Sequence, residues 1–296
     1  MDIRHIGPRN GTWEFVGEVS GIDLTRPLDA AEVAAIEAGM DRFAVLVFHD
    51  QFFTDAQQVA FSENFGRLEP AVANVTKPQD RRLELNLADI SNLDKNNALL
   101  ARDDKRRMFN LGNMLWHSDS SFKATPAKYS LLSARAVPRT GGDTQFADMR
   151  AAYDAFPDDI KALIEPMITE HSLIFSRGLL GFGEFDEEER RNFAPVPQRL
   201  VRTHPVTGRK SVFLSSHIGV IRGMPVPEAR MLIRDLTEMA TQPVFVHAHK
   251  WRAGDLVMWD NRTTMHRARR FDDTGEVRDM RRTTIEGEPT MMQQAA

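Results

Sequence analysis

Apolar positions first settle into a helical period at Val33, Ile36 and Met40. Asp29 and Glu32 precede them as a capping-box pair, so a helix is predicted to open there. The continuous apolar run Phe43-Ala44-Val45-Leu46-Val47-Phe48 then predicts a strand buried on both faces. Thr54 and Gln57 cap a second helix carrying Val59, Ala60, Phe61 and Phe65, with Gly66 ending it. Upstream, residues 11–25 read as short strands around Trp13 to Gly17 and Val19 to Leu24.

Residues 70–112 lose this periodicity and carry the charge clusters Asp80-Arg81-Arg82 and Arg102 to Arg107. A long, weakly patterned insertion of this kind reads either as a substrate lid or as a solvated loop. Beyond it, Tyr129-Ser130-Leu131-Leu132-Ser133-Ala134 predicts a strand, followed by the turn Gly141-Gly142-Asp143 and a short strand Thr144-Gln145-Phe146. Helices follow from Asp148 to Phe156 and from Pro157-Asp158-Asp159, while 172–198 reads as loop and short helix. Val201 to His204 and Ser211 to Leu214 flank a turn at Thr207-Gly208-Arg209, a hairpin pattern. Pro227 opens a helix to Ala240, and strands are predicted at 243–249, 255–260, 264–270 and 277–286, with a disordered tail from Glu288. These elements predict one α+β domain over 1–296, a mainly antiparallel β core with helices packed outside and no internal repeat.

Composition narrows the chemistry. A chain of 296 residues with 42% hydrophobic and 27% charged content is that of a globular protein with a substantial core. The net charge of -4, and basic clusters interleaved with acids rather than aromatics, give no attraction for nucleic acid or an anionic membrane. The N-terminus lacks the apolar stretch of a signal peptide, and no run is long enough to span a bilayer, so a cytoplasmic location is expected. With zero cysteine, disulfides, thiolate metal sites and a thiol nucleophile are excluded. Any metal must be held by nitrogen and oxygen.

His117-Ser118-Asp119, beside Trp116, places an imidazole and a carboxylate two residues apart. In an extended backbone both leave the same face and can grip one ion. With a further histidine they would form a 2-His-1-carboxylate triad, which leaves coordination positions open on Fe(II). A hydrogen-bonded loop is the plainer reading of the pair. His266, in Trp259-Asp260-Asn261-Arg262-Thr263-Thr264-Met265-His266, is a candidate third ligand from a separate strand. His247-Ala248-His249 is a rival pair, without an acidic residue at comparable spacing. Arg278, Met280 and Arg282 fall on one face of a strand and Asp279, Arg281 and Thr283 on the other. Two inward guanidiniums would each need an anion; a solvated strand face is the alternative.

Several runs, in the same order, resemble the taurine dioxygenase family. They are Trp116 to Phe122, Gly141-Gly142-Asp143-Thr144, Asp148-Met149-Arg150-Ala151-Ala152-Tyr153, Trp251 through Gly254-Asp255-Leu256, and Trp259 to His266, with the Ala88 to Asn92 patch. Within the family they are most similar to the 2,4-dichlorophenoxyacetate dioxygenases, and the likeness runs from about residue 12 to 286. The resemblance implies a double-stranded β-helix (jelly-roll) core and dependence on Fe(II), 2-oxoglutarate and O2. It assigns His117, Asp119 and His266 to the iron, Thr144 and Arg278 to the distal carboxylate of 2-oxoglutarate, and Arg282 to the anionic head of the primary substrate. Asn113 and His217 fall near the substrate, the latter on its phenoxy side. The implied reaction is hydroxylation of the carbon next to the ether oxygen of an aryloxyacetate, giving a phenol and glyoxylate with succinate and CO2. A small anionic aromatic substrate and a homo-oligomer are the expected partners. A sulfonate, a sulfate ester or an aryloxypropionate remains open as substrate, as does a non-oxidative, cupin-like metal-binding protein. The loop from Phe271 to Val277 is one residue longer than the family pattern, so the choice of Arg278 rests also on strand alternation.

Overall fold

The computed structural model describes residues 1–10, 13–71, 81–183 and 185–289. Among them the largest sheet runs in the order Asp2–His5, Gly17–Ser20, Val45–Phe48, Leu256–Asp260, Ala127–Ala136, Asp279–Glu286 and Ala88–Asp89. Only the Gly17–Ser20 and Val45–Phe48 pairing in it is parallel. A second sheet places Thr144–Asp148 between Val246–His249 and Thr264–Ala268.

Side-chain alternation divides the large sheet cleanly. Val45, Val47, Leu132, Ala134, Val257, Trp259 and Met280 form one core with Phe146 of the second sheet. Their neighbours Leu46, Phe48, Leu131, Leu256 and Met258 pack instead against Ile36, Met40, Phe43 and Phe61 of the helices Ala30–Phe43 and Asp55–Glu63. Both predicted capping boxes are present, Asp29 with Glu32 and Thr54 with Gln57. The helix Val226–Ala240 covers the far side of the second sheet through Ile233 and Leu236, which join Ala147 and Met265. The result is two facing sheets between outer helices, a mixed α+β architecture.

The differences from expectation have local causes. The strand predicted from Phe43 begins at Val45, because Phe43 ends the preceding helix and Ala44 turns the chain with a left-handed φ of 60°. Residues 243–245 form a short 3-10 turn before the Val246–His249 strand. The hairpin at Thr207 is present as Val201–Thr203 paired with Lys210–Val212. A three-stranded sheet of Val196–Arg199, Ile168–His171 and Ile218–Ile221 escaped the sequence reading. Its buried positions include Thr169, His171 and Gln198, all 0% exposed, so its alternation is hidden from a hydrophobicity pattern. Gln198 Nε2 donates to the carbonyls of Ser121 and Lys123 at 3.0 and 3.1 Å, which braces the chain after Asp119. Part of the 70–112 insertion and part of the tail, residues 72–80 and 290–296, lie outside the described residues.

Asp260 closes the turn that leads into the strand bearing His266. Its buried carboxylate accepts from Arg262 Nη2 at 2.6 Å and pairs with His204 Nε2 at 3.3 Å. Burial pushes this carboxyl up, but the Arg262 charge, followed by the His204 hydrogen bond, outweighs it and holds it well below the usual range. A depressed carboxylate stabilises the fold above pH about 4, and this contribution is lost as pH falls through its folded value. Asp260→Ala strands two partners and is expected to cost about 3–5 kcal/mol of unfolding free energy, read by urea denaturation at neutral pH. A loss within measurement error would show that the turn does not depend on the pair.

Candidate metal centre

His117 and His266 face each other across a two-residue antiparallel bridge. His117 N donates to His266 O at 3.0 Å and His266 N to His117 O at 2.8 Å. Such a rung sets both side chains on one face, and the ring centroids are 4.2 Å apart. Asp119 does not arrive by strand alternation, as expected, but by a turn in which Ser120 takes a φ of 52°. That turn brings its carboxylate oxygens to 3.9 Å from His117 Nε2 and 3.7 Å from His266 Nε2. All three residues are buried, and their ligand atoms lie within 4.8 Å of one another.

The groups behind them fix their chemistry. His117 Nδ1 is 2.8 Å from the carbonyl of Leu115, which only accepts, so the proton sits on Nδ1 and the Nε2 lone pair faces Asp119. Asp119 Oδ2 accepts from Ser130 Oγ at 2.7 Å, and its backbone N donates to Asn261 Oδ1 at 3.1 Å. Asn261 in turn donates to Ser130 Oγ and accepts from Trp259 Nε1. Burial lowers both imidazole pKa values and favours the neutral rings. It works against the Asp119 carboxylate, but Arg282, donating to Oδ1 at 2.5 Å, and then the two histidines outweigh it and keep Asp119 ionised. Two neutral nitrogens and one anionic oxygen are the donor set of a divalent metal.

Two cavities meet here, sharing His117, Arg282, Asn113, Asn110, Ile90 and Ser91. One contains Thr144 and Arg278. Thr144 Oγ1 accepts from Trp251 Nε1 at 2.9 Å, which leaves the hydroxyl proton for another acceptor. Arg278 is buried, and among the described residues its guanidinium meets the Ile90 carbonyl at 3.4 Å and the Phe271 ring at 5.9 Å and pairs with no carboxylate. Burial brings its guanidinium down to about 10, so it stays charged at neutral pH. The alternation read from the sequence is realised, since Met280 enters the core while Arg281 bonds Asp55 and Thr283 meets Ser62 on the outer helix. The longer loop before Arg278 is closed by Gly275 N donating to Asp272 and by Asn92 Nδ2 donating to the carbonyls of Asp273 and Glu276.

The second cavity is walled by Phe109, Phe122, Leu173 and His217. His217 stands edge-on to Phe122 with centroids 4.9 Å apart, and its Nδ1 is 2.7 Å from Ser176 Oγ. Ser176 spends its own proton on Leu173 O, so His217 donates through Nδ1 and keeps Nε2 as an acceptor. Asn113 lies in the turn Leu111–Met114 between the cavities. Residues between 81 and 110 contribute to the lining of both cavities. The rival pair separates from the centre, with His249 held 3.0 Å from Asp255. In the sequence Ser130 carries no assigned role, and Trp251 enters only as part of a family motif; Ser130 is marked only as a polar residue at a fully buried strand position.

Residues 2–284 match the taurine catabolism dioxygenase TauD, TfdA family. The chain belongs to that family. The dioxygenase is 46% identical over 273 residues to an alpha-ketoglutarate-dependent 2,4-dichlorophenoxyacetate dioxygenase of Burkholderia sp. (strain RASC), covering 92% of each chain. It is 38% identical over 293 residues to an (S)-phenoxypropionate/alpha-ketoglutarate-dioxygenase of Sphingobium herbicidovorans, covering 96% of this chain and 95% of that one. Its fold matches the crystal structure of AAD-2 in complex with Mn(II) and N-oxalylglycine, with a TM-score of 0.90, 57% identity, and 98% and 99% of the two chains covered. The protein is an enzyme, an Fe(II)- and 2-oxoglutarate-dependent dioxygenase. Its residues fit both groups: a nitrogen and oxygen donor set for the metal and, lining one cavity, a hydroxyl with its proton to spare and a buried guanidinium that pairs with no carboxylate among the described residues for the keto acid. No helix among the described residues is long and apolar enough to cross a membrane.

Proposed function

We propose that this dioxygenase hydroxylates the carbon next to the ether oxygen of an aryloxyacetate such as 2,4-dichlorophenoxyacetate. The observation that carries the reading is the meeting of two cavities at the His117, Asp119 and His266 set, one containing an unpaired guanidinium and the other walled by aromatic rings. In this reading His117, Asp119 and His266 hold Fe(II), while Thr144 and Arg278 hold the distal carboxylate of 2-oxoglutarate. The metal supplies oxidation of a C–H bond coupled to decarboxylation of the keto acid to succinate and CO2. The protein's contribution is position. Arg282, already turned towards Asp119, orients the substrate's head, Asn113 lies between the two cavities, and His217 packs on the phenoxy side. Hydroxylation yields a hemiacetal; the bond between the hydroxylated carbon and the ether oxygen breaks as the hydroxyl proton passes to that oxygen, giving a phenol and glyoxylate. The step needs no further base.

The two facing sheets support a jelly-roll core within a single domain, and the residues between 81 and 113 that line both cavities support a covering role for that part of the insertion. The same reading takes the enzyme as cytoplasmic and homo-oligomeric. The named (S)-phenoxypropionate relative favours an aryloxypropionate as the second substrate class. A panel of aryloxyacetates, aryloxypropionates, sulfonates and sulfate esters, assayed for 2-oxoglutarate-dependent succinate release and O2 uptake, tests the proposal. Highest kcat/KM on an aryloxyacetate is expected; a preference for a sulfonate or sulfate ester would overturn the substrate assignment. Arg282→Ala is expected to raise KM for the acid by about tenfold or more while leaving the 2-oxoglutarate affinity in place. An unchanged KM for the acid would exclude Arg282 from the substrate.

A further inference from the structure

The cavity that contains Thr144 and Arg278 is also lined by three exposed arginines, Arg102, Arg269 and Arg270. Lining residues that face solvent mark its mouth, whereas Arg278 is 6% exposed and lies inside. Among the described residues no carboxylate is ion-paired with any of the three. Asp273 is the carboxylate among the described lining residues, and it already accepts from Arg107 Nη2 at 2.9 Å. Asp103, Asp143 and Asp272 are chain neighbours of the three arginines, but they do not line the cavity.

Main-chain contacts fix the cluster to the wall. Arg269 N donates to Asp143 O at 2.8 Å and Gly142 N donates to Arg270 O at 3.0 Å, so both arginines are held on the turn that leads into Thr144. Gly141 allows this approach, since a Cβ there would stand 2.4 Å from Arg270 O. Arg107 Nη1 donates to the carbonyl of Arg102 at 2.7 Å, which ties Arg102 to the ion pair with Asp273.

Like charges gathered in one place repel one another, and here no ion pair offsets the repulsion. The chain as a whole carries a net charge of -4, so this positive mouth runs against the sign of the molecule. A cleft lined by one sign of charge focuses its field and raises the rate at which an opposite charge arrives. The ligand read for this cavity, 2-oxoglutarate, carries two carboxylates, and the field pulls it twice as strongly as a monocarboxylate.

We propose that Arg102, Arg269 and Arg270 form an electrostatic entry for the co-substrate: they draw dianionic 2-oxoglutarate to the mouth and set its association rate, while Arg278 inside sets how long it stays. This inference rests on the reading that Thr144 and Arg278 hold the keto acid.

The test follows the absorbance change as 2-oxoglutarate binds the Fe(II)-loaded enzyme in anaerobic stopped flow, at ionic strengths of about 0.01 M and about 1 M. At the lower one the Debye length of about 30 Å lets the cluster act at a distance, and at the higher it shrinks to about 3 Å. The triple variant Arg102→Gln, Arg269→Gln, Arg270→Gln is expected to associate about tenfold more slowly than wild type at low ionic strength and within about twofold of it at high, with the dissociation rate unchanged. A control triple, Arg4→Gln, Arg191→Gln, Arg234→Gln, makes the same change in net charge at exposed positions away from the cavity and should stay close to wild type. Equal slowing at both ionic strengths, equal slowing in the control, or a change confined to the dissociation rate would overturn the proposal. If the triple variant does not fold, the three single exchanges decide, each slowing association about twofold at low ionic strength. Arg278→Met in the same apparatus examines the underlying reading by itself, since it should speed dissociation and keep the salt-dependent association of wild type. Normal dissociation from Arg278→Met would take the distal carboxylate off Arg278, and the two triple variants would still decide whether the mouth steers the keto acid.

Discussion

Exchange of His266 for alanine is expected to abolish turnover, with succinate release falling by about a thousandfold or more, since the metal's several kcal/mol of catalysis are lost with it. The fold should survive, because His266 pairs with His117 through main-chain atoms that alanine also carries. The variant would then retain its secondary structure by circular dichroism while failing to retain Fe(II) on gel filtration. His117→Ala should behave alike. Asp119→Ala should be more damaging to stability, because it removes the anion beside Arg282 and leaves that half-buried cation unpaired. Undiminished succinate release by these three variants would remove the metal assignment.

Arg278→Met is expected to have the next largest effect, in the other cavity. Losing a buried charge-paired contact costs about 3 kcal/mol, more than a hundredfold in the KM for 2-oxoglutarate, with the KM for the aryloxy acid kept. A second readout separates this from general damage. Arg278 is a cation without a counter-ion in the free protein, so its apolar replacement should be at least as stable as wild type when no keto acid is present. The rise in Tm that 2-oxoglutarate gives wild type should disappear in the variant. A normal ligand-induced rise would show that the distal carboxylate lies elsewhere.

The sequence carried much of this site, but unevenly. Arg278 and Arg282 were placed by the family resemblance together with alternation, and the strand obeys that alternation because Met280 between them fills the space between the sheets. His117 and Asp119 were legible as a pair, but not the turn at Ser120 that unites them, since a positive φ at a serine leaves no mark in hydrophobic spacing. His266 was a candidate by motif, and only long-range pairing brings it to His117. Ser130 and the pair Thr169 and Gln198 of the three-stranded sheet went unread for one reason. Each is a polar group buried where pattern analysis expects apolar ones.

The rung shared by His117 and His266 has one more effect. With both imidazoles suspended from a single pair of amide contacts, their spacing is dictated by strand register, and a slip of one residue would send a ring to the opposite side of the sheet. Iron should therefore leave only when that seam parts, so metal release and local unzipping will share one activation barrier.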